Sequence, residues 1–215
     1  LGEKLGMRAN AANKALMNPN ATGGEDRWYN ADQVMAAIGQ SIHEYTPMQM
    51  CVYACTLANR GTRLKATFKN RVVSADYRTL VSENQPVIMN TMDICNDAYI
   101  SYMEGMQRVI YANGGTARKI FNGFEDTEHT FPADIRVCAK TGTAEHESGG
   151  SSNGSFVCFA PMDNPQIAVA VYGEKAGSGA YMARVARAVL EAYFGADETS
   201  DAETYENKVG EDPQR

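Results

Sequence analysis

Asp134-Ile-Arg-Val-Cys-Ala-Lys-Thr-Gly-Thr143 alternates Ile135, Val137 and Ala139 against Arg136, Cys138 and Lys140. A side-chain period of two is the signature of a strand. A Gly-Ser loop follows from Ser148 to Asn153. Gly154-Ser-Phe-Val-Cys-Phe-Ala-Pro161 is a second short apolar run, Asn164-Pro165 marks a turn, and Gln166-Ile-Ala-Val-Ala-Val-Tyr-Gly173 is a third. Three such runs with short connections predict an antiparallel meander. A helix closes the order, with Met182, Val185, Ala186, Val189, Leu190 and Tyr193 on one face and Gly195 as its stop. Counting outward from a loop centred near Ser148 pairs residue 138 with 158 and 140 with 156. Cys138 and Cys158 would then face each other, and Phe156 would stand beside Lys140.

Upstream the pattern is sparser. Residues 1–45 are polar and read as irregular, with Gly23-Gly24 and the only Trp, Trp28. Thr46 to Asn59 predicts a helix: Thr46 caps it, Pro47 suits its first turn and Gly61 ends it. Leu64 to Ser74 alternates weakly and predicts a small hairpin. Asp97 to Ala112 predicts a helix with Tyr99, Met103, Met106 and Ile110 on one face, stopped by Asn113-Gly114. Phe121 to Pro132 reads as an acidic loop. From Ala196 the chain holds seven carboxylates against Lys208 and Arg215 and almost no apolar residues. That composition predicts a disordered tail over 196–215 behind a single domain over 1–195.

Composition narrows the function. A chain of 215 residues is long enough for one domain with a sizeable core. A formal net charge of -6 and a pI near 5.1 argue against a nucleic-acid partner, which would need clustered Lys and Arg. No apolar stretch approaches the ~20 residues that span a bilayer, and no signal peptide is recognisable. The five cysteines at 51, 55, 95, 138 and 158 and the three histidines at 43, 129 and 146 do not form a zinc pattern. Neither a metal nor an organic cofactor is implied.

The chemistry-bearing stretch is Lys140-Thr-Gly-Thr-Ala144. Lys-Thr-Gly on a strand is one of three signatures of penicillin-interacting serine acyl-transferases, beside Ser-x-x-Lys and a Ser-x-Asn motif. No Ser in this sequence is followed three residues later by Lys. Ser82-Glu-Asn84 and Ser151-Ser-Asn153 match Ser-x-Asn, but both stand where that motif is not expected. Further segments carry the resemblance. Ala37-Ile-Gly-Gln-Ser41, Thr46-Pro-Met-Gln-Met50, Leu57-Ala-Asn-Arg-Gly-Thr62 and Gly114-Gly-Thr-Ala117 occur in order before Lys140-Thr-Gly-Thr-Ala-Glu145. Together they resemble the class B penicillin-binding proteins, the monofunctional peptidoglycan D,D-transpeptidases, from Leu1 to about Phe194.

That resemblance implies an α+β fold, an antiparallel sheet flanked by helices, with only the C-terminal half of the transpeptidase domain present. It implies an acyl-serine enzyme acting on D-Ala-D-Ala stem peptides and acylated by β-lactams. Lys140 and the hydroxyls of Thr141 and Thr143 would hold the substrate, Gly142 would let it approach, and the Thr143 N–H would form half of the oxyanion hole. Phe156 would join them on the site face. Glu145 and His146 follow the motif but receive no catalytic role. The partner would be the missing N-terminal half, which supplies the nucleophile; without it the chain is expected to be inactive. The resemblance places the domain on the extracytoplasmic face of the bacterial membrane, anchored outside this chain. Two other readings stay open: a fragment of a β-lactamase, D,D-carboxypeptidase or β-lactam sensor, and a non-catalytic peptide-binding module.

Overall fold

The computed structural model describes residues 5–122, 131–144 and 150–195. The three apolar runs are strands β5 (Cys138–Ala144), β6 (Asn153–Ala160) and β7 (Ile167–Gly173), antiparallel in the order β5-β6-β7. Helices cover both faces. α5 (Arg118–Phe121) and α6 (Gly179–Phe194) pack on one side, while α3 (Pro47–Ala58) and α4 (Asn96–Tyr111) pack on the other. This is the α+β arrangement expected, with a three-layer core.

Each layer follows from local chemistry. Thr46 and Gln49 form a reciprocal capping box at the start of α3, with Pro47 in the first turn. α4 turns Met103, Met106 and Ile110 inward. Met103 and Met106 meet Cys138 and Phe159 on one sheet face, and Ile110 meets Phe121, Val137, Phe156 and Leu190 on the other. α6 ends at Gly195, whose φ of 69° lies in the left-handed region that glycine enters without a Cβ penalty. β6 is the central strand, so both of its faces are covered and Phe156, Cys158, Phe159 and Ala160 are all inaccessible.

Four expectations need correction. Residues 1–45 are not irregular throughout: α1 (Ala11–Met17) and α2 (Asn30–Ala37) form there. Neither helix has a buried residue, so neither carries an apolar period. They rest on local polar bonds instead. The Asn10 side chain accepts from Asn13 N at 2.8 Å, and Lys14 pairs with Asp32 at 2.6 Å. Leu64 to Ser74 is not a hairpin. A turn bonded from Ser74 N to Thr79 O joins β2 (Arg71–Val73) to β3 (Leu80–Glu83). That ribbon is inserted between β1 (Thr62–Leu64) and β4 (Ile88–Thr91), which pair with each other. Strands of three or four residues carry too little periodicity to reveal their partners.

The meander register is one residue away from the expected count. Cys138 opposes Phe159 and Ala139 opposes Cys158. A one-residue slip moves a side chain to the other face, so Cys138 and Cys158 lie on opposite sides of the sheet. Burial raises both thiols to about 12. The inward face of α6 is also narrower than its sequence suggests. Gly179, Ala183, Ala186 and Leu190 are buried, while Tyr181, Val185, Val189 and Tyr193 form an exposed stripe. The acidic tail lies outside the described residues, as does most of the loop after Phe121.

The two faces of α6 give a test of this packing. Leu190→Ala is expected to destabilise the chain by about 2–5 kcal/mol through loss of buried surface and an unfilled cavity. Val185→Ala, on the exposed stripe, is expected to shift stability by no more than about 0.5 kcal/mol. Urea unfolding of both variants measures the contrast.

Candidate functional site

β5 changes character along its length. Val137, Cys138 and Ala139 are fully buried, whereas Lys140 and Thr143 are exposed. The first half is therefore anchored in the core and the second half is presented to solvent. Val137 N–H donates to Tyr111 Oη at 3.0 Å, which fixes the strand as it enters the sheet. Burial pushes the Tyr111 phenol up, and the Val137 hydrogen bond opposes this. Cys138 Sγ donates to the Met103 carbonyl at 3.8 Å on the other side. β5 has β6 on one edge and no strand on the other among the described residues.

The two faces of the exposed half differ. Lys140 and Gly142 project to the α4 side, and the Lys140 ammonium donates to the Thr141 carbonyl. Thr141 and Thr143 project to the α6 side, each hydroxyl tied to a different element. Thr141 Oγ1 lies 2.9 Å from Thr116 Oγ1. Thr116 is held by the turn that follows α4, where Ala117 N–H donates to Val109 O at 3.0 Å. Thr143 Oγ1 accepts from Gly179 N–H at 3.2 Å, in the first turn of α6. Because that oxygen is already accepting, the Thr143 proton is free to point outward.

Glycine makes this second contact possible. A Cβ on Gly179 would collide with the Gly142 carbonyl and would lie 2.8 Å from Gly142 N and 2.5 Å from the Ser155 carbonyl. A Cβ on Gly154 would lie 2.6 Å from the Ser178 carbonyl. The backbone of the first turn of α6 thus rests directly on β5 and β6. The aligned peptide dipoles of this 16-residue helix place partial positive charge beside Thr143. Lys140 adds a full positive charge from the opposite face, so the open edge suits an anionic end of an extended chain.

The structure brings Lys140, Thr141, Gly142 and Thr143 together at that edge and removes Phe156 from it. Phe156 opposes Thr141, has no accessible surface, and stacks on Phe121 with ring centroids 6.3 Å apart. The one-residue register difference explains the correction. Thr116 and Gly179 were missed as site residues. The Gly-Gly-Thr-Ala turn was the available signal for Thr116; nothing in the sequence singled out Gly179. Ser82 lies on β3, in a separate ribbon, and Ser151 precedes β6. Glu145 and His146 lie outside the described residues. Among the described residues no three His, Cys, Asp or Glu side chains cluster as a metal site, and no helix is long and apolar enough to cross a membrane.

Comparison with known proteins bears on the family and the fold. Residues 8–191 match the family model described as the penicillin binding protein transpeptidase domain. Penicillin-binding protein 2B of Streptococcus pneumoniae is 33% identical over 154 residues, covering 66% of this chain and 21% of that protein. The peptidoglycan D,D-transpeptidase MrdA of Haemophilus influenzae is 28% identical over 185 residues, covering 78% of this chain and 26% of that protein. The imipenem acyl-enzyme complex of penicillin-binding protein A from M. tuberculosis superposes with a TM-score of 0.63. It is 25% identical and covers 77% of this chain and 34% of that one. The chain therefore spans only about a fifth to a quarter of the length of these two sequence relatives.

Two glycine substitutions test the seating of α6. Gly179→Ala is expected to destabilise by about 1–3 kcal/mol, because the added methyl meets backbone that cannot yield without moving the helix. Gly105→Ala, in the exposed middle of α4 with nothing near the added Cβ, is expected to stabilise by about 0.5–1 kcal/mol. Thermal or urea unfolding of the pair gives opposite signs if the close approach is as described.

Proposed function

The chain belongs to the penicillin-binding protein transpeptidase family, and from that membership we propose that it is the substrate-holding part of a peptidoglycan D,D-transpeptidase. The observation that carries the proposal is the open edge of β5, with Lys140 on one flank and the Thr141 and Thr143 hydroxyls on the other. An extended stem peptide adds to that edge as a further strand and is held by main-chain hydrogen bonds. Its terminal carboxylate is met by the Lys140 ammonium, the outward Thr143 hydroxyl and the positive end of α6. The Thr143 N–H serves as one donor of the oxyanion hole, where a preorganised donor stabilises the charge that develops on the attacked carbonyl.

The nucleophile comes from outside this sequence, which contains no Ser-x-x-Lys. In the assembled site that serine attacks the penultimate D-Ala carbonyl, D-Ala leaves, and the acyl-enzyme passes to the amine of a neighbouring stem peptide. A β-lactam enters the same route as far as the acyl-enzyme, the state in which the M. tuberculosis neighbour was solved with imipenem. Two surfaces suit the rest of the domain. The outer edge of β7 has no strand beside it among the described residues, and α6 displays Tyr181, Val185, Val189 and Tyr193 in a stripe four residues apart. The domain works on the extracytoplasmic side of the membrane through an anchor outside this chain.

Labelling with a fluorescent penicillin tests the proposal. The isolated chain is expected to take no covalent label, because it lacks the nucleophile. Joined to a segment bearing Ser-x-x-Lys and Ser-x-Asn from the same protein, it is expected to label on that segment's serine. In the joined enzyme Lys140→Ala is expected to slow acylation by the equivalent of about 2–4 kcal/mol of transition-state stabilisation with the fold retained. Thr143→Pro, which deletes the N–H, is expected to be worse than Thr143→Ser, which keeps it. A penicilloyl adduct on any serine of the isolated chain, or unchanged acylation in Lys140→Ala, would refute this assignment.

A further inference from the structure

Two of the five cysteines stand together, away from the β5 edge. Cys51 and Cys55 lie four residues apart on α3, and side chains at that spacing are stacked neighbours on one helix face. Both side chains therefore stand on the same stretch of the helix surface, one turn apart. Cys51 is half-buried and its Sγ also donates to the Ala168 carbonyl of β7 at 3.4 Å, while Cys55 is exposed. Cys51 S–H is thus directed at the sheet, and Cys55 stands one turn further on, toward solvent. The other three cysteines have no such arrangement. Cys138 and Cys158 are inaccessible on opposite sheet faces, and Cys95 precedes α4.

Helix geometry decides what this pair can hold. Cβ atoms at i and i+4 are about 5–6 Å apart, whereas a disulfide needs about 3.5–4.5 Å. A direct S–S bond would require α3 to unwind, and α3 is packed on β7, β6 and β1. One atom placed between the two sulfurs fits the same spacing with the helix intact. Thiolates select soft centres, Cu(I) among them.

We propose that Cys51 and Cys55 form a two-thiolate site on α3 for a thiophilic centre of low coordination number, Cu(I) or trivalent arsenic. Capture forms two bonds from sulfur to the bound centre and breaks both S–H bonds, with no change of oxidation state. With Cu(I) both protons go to solvent. With an arsenoxide they leave with its oxygen as one water. The Cys51 hydrogen bond to Ala168 is surrendered in the process. The site is independent of the acyl-transfer reading, since neither thiol touches the β5 edge.

Phenylarsine oxide is the probe, because it binds stably only where two thiols close on one arsenic. The folded 215-residue chain, checked by the resistance of Cys138 and Cys158 to iodoacetamide, is treated with one equivalent. The mass should rise by one phenylarsenic group with loss of one water. Proteolysis should place the adduct on the peptide holding both Cys51 and Cys55. A monothiol should leave it in place and a dithiol should remove it. Equimolar Cu(I), supplied as its acetonitrile complex, should block capture. Cys55→Ser, a change at an exposed position, should release the arsenical about a hundredfold faster under monothiol challenge, the loss expected when two linked contacts become one. Cys95→Ser should behave as the parent. An adduct mapped to Cys95, Cys138 or Cys158, retention unchanged in Cys55→Ser, or no adduct on the parent chain would each overturn the assignment.

Discussion

The seating of α6 on β5 and β6 is the constraint on which the rest of this structure depends. Helix and sheet normally keep a layer of side chains between them. At the first turn of α6 that layer is missing, because Gly154 and Gly179 bring backbone against backbone. Only there can a helix amide reach a threonine hydroxyl on the strand, as Gly179 N–H reaches Thr143. The same contact brings the positive end of the helix dipole to the strand. Further along, Ala183, Ala186 and Leu190 restore ordinary side-chain packing against the sheet. The helix covers the face of β5 and leaves its edge open, which any side-chain-mediated packing across that edge would have closed.

This seating also explains why the Lys-Thr-Gly-Thr run divides its work between two faces. Alternation along a strand puts Lys140 and Gly142 on one side and Thr141 and Thr143 on the other. A ligand lying in the plane of the sheet, along the edge, meets both sets. A ligand lying on either face would meet only one, and the α6 face is already occupied. The location of Phe156 fits the same logic. It opposes Thr141 on the α6 side, but it is on the central strand, beneath α5 and α6, where it fills the core beside Phe121. Its removal from the site is a consequence of register, and its burial is part of what holds β5 in place.

The strands and main helices were legible in the sequence because burial writes itself as periodicity. β5, β6, β7, α3, α4 and α6 each bury a face, and each was recognisable with its caps at Thr46 and Gly195. The site motif was legible because its residues are contiguous. What escaped notice had no such imprint. α1 and α2 bury nothing and rest on Asn10, Lys14 and Asp32. The β2–β3 ribbon depends on a turn at Ser74–Thr79 rather than on apolar alternation. The register of β5 against β6 is not fixed by the apolar pattern of either strand, and a difference of one residue from the expected count turns Cys158 away from Cys138 and Phe156 away from Lys140. Thr116 and Gly179 enter the site from elements distant in sequence, so only the folded chain brings them to β5.

Two sheet edges are open among the described residues, and they have opposite characters. The β5 edge carries Lys140 and has its core-forming residues confined to its first half. A charged edge resists pairing with another copy of the chain while still accepting a ligand that brings a complementary carboxylate. The β7 edge belongs to a strand of seven mostly apolar residues, and α6, which packs on the same sheet, bears the exposed tyrosine and valine stripe. An apolar strand with unpaired backbone on its outer edge is what a further strand requires. The sheet thus presents one charged edge and one apolar edge among the described residues, and alternation along each strand decides which is which.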